Sequence, residues 1–395
     1  MTTNENVRIL LASRPHGEPT HDNFRIETAP TPQPGEGEVL LRTIYLSLDP
    51  YMRGRMNDAK SYADPQELDE VMQGGTVAEV VESNDDSLKQ GDFVLSHLGW
   101  QAYGVQPAKH VRKLDPERAP ISTAVGVLGM PGFTAYAGLL QIGKPQPGET
   151  VVVAAAAGPV GSAVGQIAKV KGARAVGIAG GPDKVAWLTE LGFDVALDHR
   201  SPTFKDDLKA AVPDGIDVYF ENVGGHVWDA VLPRLNTYAR VPVCGLVASY
   251  NATELPAGPD RTPYLMTSIL TKSLTIRGFI QNEFVKAHYK DFQHEAASWI
   301  ADGRLRYRED IGAGLENAPE AFGGLLTGKS FGKLLVQVGE DPICGPRLAE
   351  PHVRLTPGAE TVGRTRAGAA LGRPAVVRLT HARADRELAP VVGMQ

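Results

Sequence analysis

The stretch VVVAAAAGPVGSAVGQIAKVKG, which begins at Val151, restricts the fold more than any other part of the chain. β-Branched residues suited to a strand run into small residues, and these run into a helical pattern. A dinucleotide turn of the form G-x-G-x-x-G needs a tight turn, a close backbone approach to pyrophosphate, and close helix–strand packing. Ala156, Gly158 and Gly161 occupy its three positions. Alanine suits a moderately tight turn, Gly158 leaves room for phosphate oxygens, and Gly161 lets the helix lie against the sheet. Pro159 falls in the first helical turn, where a missing N–H costs little. The remaining amides there, from Val160 to Gly161, favour an anion together with the helix dipole. The competing reading is a set of small residues packing a sheet. Context favours the turn, because a strand precedes it, a helix follows, and a second strand starts near Ala175.

That second strand ends Gly177-Ile178-Ala179-Gly180-Gly181, without a carboxylate. NAD sites usually place Asp or Glu there to hold the ribose hydroxyls, whereas NADP sites accommodate a 2′-phosphate with a cation. Lys184 follows in the next turn, so the cofactor expected is NADP. Asp183 either reaches a ribose or caps the helix that begins there, and the cap is the favoured reading.

Around this unit the chain alternates strand and helix. VVVAAA, ARAVGIAG, DVYFENV and ARVPVCG are strand candidates, with helical stretches between them, which argues an α/β parallel sheet. Before about residue 120 the chain is β-rich, with short segments separated by Gly, Pro and Asp turns. After about residue 305 come turns, one helix in APEAFGGLLTG, and a last strand, GKLLVQVG, expected to rejoin the first domain. The expected domains are therefore 1–123 with 305–342, and 124–304. The segment from Ile343 to Gln395 has eight Arg, no Lys and no aromatic residue. With little to bury, it is expected to be mostly disordered, either as a flexible tail or, the sharper reading, as a segment outside the evolved domain such as an out-of-frame extension. A chain ending at Pro342 should then keep its activity and melting temperature, and a large loss of either would refute this.

Composition narrows the partners. A formal net charge of -6 gives no reason to expect nucleic acid or an anionic membrane. The apolar run from Ala124 contains four glycines and Pro131, and reads as a helix start rather than a membrane span. No secretory signal is visible. The two cysteines, Cys244 and Cys344, exclude a disulfide framework and a four-cysteine zinc site, and suit the cytoplasm.

Eight stretches in order carry a family resemblance: SLDPYMRGRM, LGMPGFTAY, AAAAGPVGSAVGQIAKVKG, AGGPDK, YFENVGG, CGLVASYN, LTIRGFI and FGKLLVQV. They resemble the medium-chain dehydrogenase/reductase superfamily, in its zinc-free branch of leukotriene hydroxydehydrogenases, prostaglandin reductases and curcumin reductases. The resemblance implies a GroES-like β-rich domain interrupted by a Rossmann domain, with the active site between them. It implies that Gly158–Gly161 hold pyrophosphate and that Lys184 meets the 2′-phosphate. Asn222 and the segment from Cys244 and Gly245 to Tyr250 would line the cofactor, and Phe279 and Ile280 would lie near the nicotinamide. His199 stands where relatives usually carry Tyr, near the 2′-phosphate, and Ser330 where they usually carry Asn. His199 is either a phosphate partner or a surface residue. A homodimer through the Rossmann sheet edge is a further implication.

The chemistry follows from what is missing. Both cysteines lie far from the N-terminal domain, and Met72-Gln73-Gly74-Gly75 stands where zinc relatives carry Gly-His-Glu, so no metal is expected. His97 and His110 read as isolated turn or packing residues. Reduction of an enone or enal by NADPH needs no Lewis acid: hydride goes to the β-carbon, the enolate oxygen needs hydrogen-bond donors, and the α-carbon takes a proton. Tyr51, Tyr62 and Tyr250 fall in segments that line the cleft in relatives and are the candidate donors. The alternative for each is an anchored loop. Arg53 and Arg55 either attract an acidic substrate or tie a loop down. The function expected is NADPH-dependent reduction of α,β-unsaturated ketones and aldehydes. The alternatives are a quinone reductase and a non-catalytic NADPH-binding protein.

Overall fold

A computed structural model describes residues 5–343 and 352–355. The β-rich part forms from short segments that pair antiparallel. β1 (Glu5–Leu11) and β2 (Phe24–Pro30) make a two-stranded ribbon. β3 (Glu38–Ser47) is the hub of a larger sheet and is followed by the short helix α1 (Tyr51–Arg55). β4 (Thr76–Ser83) pairs with β3, β5 (Phe93–Ser96) with β4, β6 (Tyr103–Pro107) with β3, and β7 (Arg112–Lys113) with β5.

Beyond residue 124 the apolar period changes. α2 (Met130–Ala137) starts at the expected proline. Then β8 (Thr150–Val153), α3 (Pro159–Val170), β9 (Arg174–Ala179), α4 (Pro182–Glu190), β10 (Val195–Asp198), α5 (Phe204–Ala211) and β11 (Ile216–Phe220) alternate. α6 (Gly225–Val231), β12 (Leu235–Val243), α7 (Thr262–Lys272) and β13 (Thr275–Gly278) continue the pattern. The six strands pair in parallel, in the order β10-β9-β8-β11-β12-β13. Parallel neighbours need crossovers, which the helices supply. Because order reverses between β8 and β11, the chain leaves those strands toward opposite faces and a crevice opens at their C-terminal ends.

Side-chain alternation along the strands loads both faces. Val151, Val153 and Phe220 pack with Val164 and Ile167 on one face, and Val152, Val176 and Tyr219 with Leu208 on the other. α8 (Asn282–Ala301) covers the first face, its Phe292 lying 5.4 Å from the Phe133 ring of α2. β14 (Arg308–Ala313), α9 (Ala318–Leu326) and β15 (Lys333–Gln337) follow. β15 rejoins the first sheet antiparallel to β3, with Leu335 opposite Ser47, and β14 lies parallel to β15. All six strands of the parallel sheet lie inside 124–304, and those of the mixed sheet outside it.

β16 (His352–Leu355) pairs antiparallel with β14. For these four residues the backbone departs from the expected disorder, because the edge of β14 offers unpaired N–H and C=O groups. The remainder of the expected tail, with Cys344, lies outside the described residues. Among the described residues no helix is long and apolar enough to cross a membrane.

Candidate functional site

The crevice floor is the turn after β8. Ala155 takes the left-handed conformation, with φ 49°, and the Ala156 N–H donates to the Ile178 carbonyl at 2.9 Å. The tightest point of the turn is therefore one residue earlier than the first fingerprint position. Gly158 caps α3, and Pro159 opens the helix as expected. A Cβ on Gly161 would lie 2.4 Å from the Ala155 carbonyl oxygen, so this glycine presses on the turn itself rather than on the sheet. Gly165, further along α3, makes room for the Phe193 ring, which also lies against Gly177 of β9. The amides at the start of α3, at Val160 and Gly161, open toward the crevice side of the turn, as helix-terminal amides do.

Cations gather at the outer end. The Lys184 ammonium donates to the Gly328 carbonyl at 2.9 Å. Burial and then the neighbouring Arg200 guanidinium lower its pKa, while Asp310 opposes. Arg200 Nε would sit 2.9 Å from a Cβ on Gly180, and His199 Nε2 2.8 Å from the same point. Asp183 is not the cap of α4. Gly181 is, with φ 95°, because only a left-handed residue turns the chain there, and Asp183 lies one residue beyond Pro182, where its charge suits the helix dipole. Asp198, at the end of β10, accepts from the Gly181 and Arg200 amides at 3.0 and 2.9 Å. Those backbone bonds hold its carboxyl below the usual range.

At the reversal of strand order, Asn222 donates its amide to the Ala154 carbonyl at 2.8 Å and ties the end of β11 to that of β8. Glu221 is 2% exposed and accepts from the Val223 and Gly224 amides at 2.6 and 2.9 Å. Burial raises its pKa against those bonds. Cys244 and Gly245 both donate their amides to the Glu221 carbonyl. Burial, with Glu221 nearby, pushes the Cys244 thiol up to about 12, so it stays protonated. The Tyr250 hydroxyl accepts the Leu246 N–H at 3.4 Å, and its pKa is raised by burial.

The three tyrosines come together across the cleft. Arg55 stacks on the Tyr62 ring at 4.9 Å and on that of Tyr51 at 6.0 Å. Tyr62 is close enough to raise the pKa of both Tyr51 and Tyr250, although burial is the larger cause for each. Arg53, 3% exposed, bonds to Asn57, to the Gly17 carbonyl, and at 3.1 Å to Asn251. It therefore ties α1 to the Tyr250 segment and is no substrate lure. Lys333 and Asp49 form a buried ion pair at 2.9 Å, with side chains 3% and 7% exposed. Lys333 also donates to the Leu48 carbonyl, and Ser47 to Asp49, which together fix the entry to α1. His97, after β5, is in reach of Asp49 as well; burial lowers its pKa and Asp49 opposes.

Phe279 packs edge-on to Phe220 at 6.1 Å, and Ile280 beside it is exposed. Ser330 lies between two ties to the coenzyme turn: the Lys184 bond to Gly328, and the Gly332 N–H to the Ala157 carbonyl at 3.2 Å.

The family described as "N-terminal domain of oxidoreductase" matches residues 7–114, and that described as "Zinc-binding dehydrogenase" matches residues 159–302. The NADPH-dependent curcumin reductase of Escherichia coli K12 is 56% identical over 337 residues, 85% of this chain and 98% of that protein. The chain belongs to the medium-chain dehydrogenase/reductase superfamily. Prostaglandin reductase 1 of Oryctolagus cuniculus is 39% identical, over 87% of this chain and 96% of that one. The structure of CurA in complex with NADPH from Vibrio vulnificus superposes with a TM-score of 0.82 at 52% identity, covering 85% of this chain and 100% of that one.

Two groups that the superfamily implies fare differently. A zinc ion does not fit: among the described residues no group of three or more His, Cys, Asp or Glu side chains is placed to hold a metal ion, despite the family's description. A phosphorylated dinucleotide fits: Gly158 and Gly161 place no Cβ over the turn, and Lys184, Arg200 and His199 converge on one end. Sequence reasoning missed Arg200, His226 and Glu221. Only Glu221 had a signal, as the residue before Asn222 in YFENVGG, since a carboxylate there can satisfy the turn's own amides.

Proposed function

We propose that this chain is an NADPH-dependent reductase of the carbon–carbon double bond of α,β-unsaturated ketones and aldehydes. The observation that carries the reading is the gathering of Lys184, Arg200 and His199 at the end of β9, a strand without a carboxylate of its own, where the neighbouring Asp198 is engaged by the Gly181 and Arg200 amides. Support comes from the E. coli relative, named an NADPH-dependent curcumin reductase, and from the Vibrio structure with NADPH. When bound, NADPH supplies the hydride. Within residues 124–304 the α3 amides would take the pyrophosphate, Lys184 and Arg200 the 2′-phosphate, and Asn222 and Cys244–Tyr250 would flank it, joined by Ser330 from the 305–342 segment. Phe279 and Ile280 form a wall near the reacting end. The residues 1–123 and 305–342 carry most of the substrate side.

Tyr51, Tyr62 and Tyr250 do the remaining work. As the β-carbon of the enone gains hydride, charge moves to the carbonyl oxygen, and a phenol donating to that oxygen stabilises it. Burial keeps Tyr51 and Tyr250 protonated through the neutral range, so both remain O–H donors. NADPH consumption against enones of increasing chain length, with a quinone beside them, tests the reading; no enone turnover, or faster quinone turnover, would overturn it. Replacing the acting tyrosine by Phe should lower kcat and kcat/KM together by about 100-fold. If all three Phe variants keep full activity, the donor role is refuted.

The same reading includes a second copy of the chain. β13 is an open sheet edge, and Tyr264, Met266 and Leu270 of α7 are exposed beside it. Met266 and Leu270, one turn apart on α7, put exposed apolar side chains on the same helix face, as an association site does. Sedimentation should find a dimer that Leu270→Glu converts to monomer; a monomeric parent chain would reject this.

A further inference from the structure

His199 is held beside the coenzyme's outer end by its own backbone, whose N–H donates to the Ala179 carbonyl at 2.9 Å. One ring nitrogen, Nε2, faces Gly180; the other, Nδ1, lies 3.1 Å from Nε2 of His226 on α6. The ring centroids are 5.1 Å apart, and the edge of Phe204 from α5 packs on His226. The charged groups around His199 are Lys184 from α4, Asp198 and Arg200 at the end of β10, and His226 from α6.

Two neutral imidazoles share a single proton between their facing nitrogens. If that proton sits on His199 Nδ1, then Nε2 presents a lone pair, and a phosphate oxygen would meet it acceptor to acceptor. Moving the shared proton to His226 Nε2 gives His199 a neutral Nε2–H, whereas one additional proton gives it a positive charge as well, which a phosphate dianion favours more. His199 then donates through Nε2 toward the phosphate and through Nδ1 to His226. Without an anion, burial together with the nearby His226, Arg200 and Lys184 disfavours that proton, and only Asp198 supports it. A phosphate dianion at the same place reverses the balance of charge.

We propose that His199 and His226 act as one unit that takes up a proton when a 2′-phosphate binds, so that preference for the phosphorylated coenzyme strengthens as pH falls. The inference rests on the NADP reading above. The sign follows from linkage: the free imidazole sits below its usual range, the dianion raises it, and the added affinity is present below the raised value and lost as pH rises through it. Its window runs from about pH 8.5 down to about 6.5, where the 2′-phosphate, with a second pKa near 6, is still mostly dianionic.

Adenosine 2′,5′-bisphosphate and 5′-AMP isolate the 2′-phosphate. Calorimetric titration of the full chain in buffers of different ionisation enthalpy counts the protons. The bisphosphate should bind with net proton uptake near about pH 7.5 and 5′-AMP without it. The affinity ratio of the two ligands should rise about fivefold from about pH 8.5 to about pH 6.5. His199→Gln should abolish the uptake and flatten the ratio, and His226→Phe, which leaves Nδ1 without its acceptor, should reduce both. Equal uptake in the parent chain and His199→Gln would overturn the proposal, and so would an unaltered His226→Phe. A chain that shows no preference for the bisphosphate at any pH would instead refute the NADP reading, and this inference with it.

Discussion

Replacing Lys184 and Arg200 together by Ala is expected to raise the Kd for NADPH about 100-fold or more and to leave NADH nearly unchanged. Each charge-assisted contact contributes roughly 1.5–3 kcal/mol, and neighbouring contacts do not add fully. Both cations lie beside the Gly180–Gly181 turn, and the acid nearest to it, Asp198, is already held by the Gly181 and Arg200 amides. Lys184 also holds the Gly328 carbonyl, so its loss loosens the loop that carries Ser330. NADH is the control for that effect, because a loosened loop weakens both coenzymes. Titration of each coenzyme into the variant decides the matter. Equal weakening of both would mean that these cations brace a loop and select nothing.

The second large effect is on stability. Lys333→Ala leaves the Asp49 carboxylate buried beside Ser47 without its partner charge, which costs roughly 3–5 kcal/mol. Pairing the change with Asp49→Asn should recover much of this, because the orphaned charge is gone. Activity should fall further than stability alone explains, since the pair fixes the Leu48–Asp49 entry to α1 and with it Tyr51. Urea denaturation of the single and double variants checks the prediction. A loss below about 1 kcal/mol for Lys333→Ala would show that water reaches the site and screens the charge.

The strand–turn–helix at Val151, its proline at the first helical position and the return of β15 to the first sheet were all legible, because each depends on local pattern or on one strand's alternation. The cap of α4 was misread. Asp183 is a common capping type, but Gly181 before Pro182 supplies the required backbone angles instead. α7 and α8 carry no sharp apolar stripe and went unnoticed: α7 leaves Leu270 in solvent, and α8 buries only Phe292, Ala296 and Trp299. The GroES-like and Rossmann architecture and most of the coenzyme residues came from motif order rather than from periodicity.

What the amino-acid sequence by itself determined is the coenzyme turn, the absence of an acid after β9, and the superfamily, because each is written in residues adjacent along the chain. Only the tertiary structure decided that Arg200 and His226 join Lys184 and His199, that Tyr250 from a distant segment comes near Tyr62, and that Lys333 neutralises Asp49. Those groupings come from crossovers and a returning strand that bring remote positions within hydrogen-bond reach. Electrostatic and hydrogen-bond energies depend on distance in space, which separation along the chain does not encode.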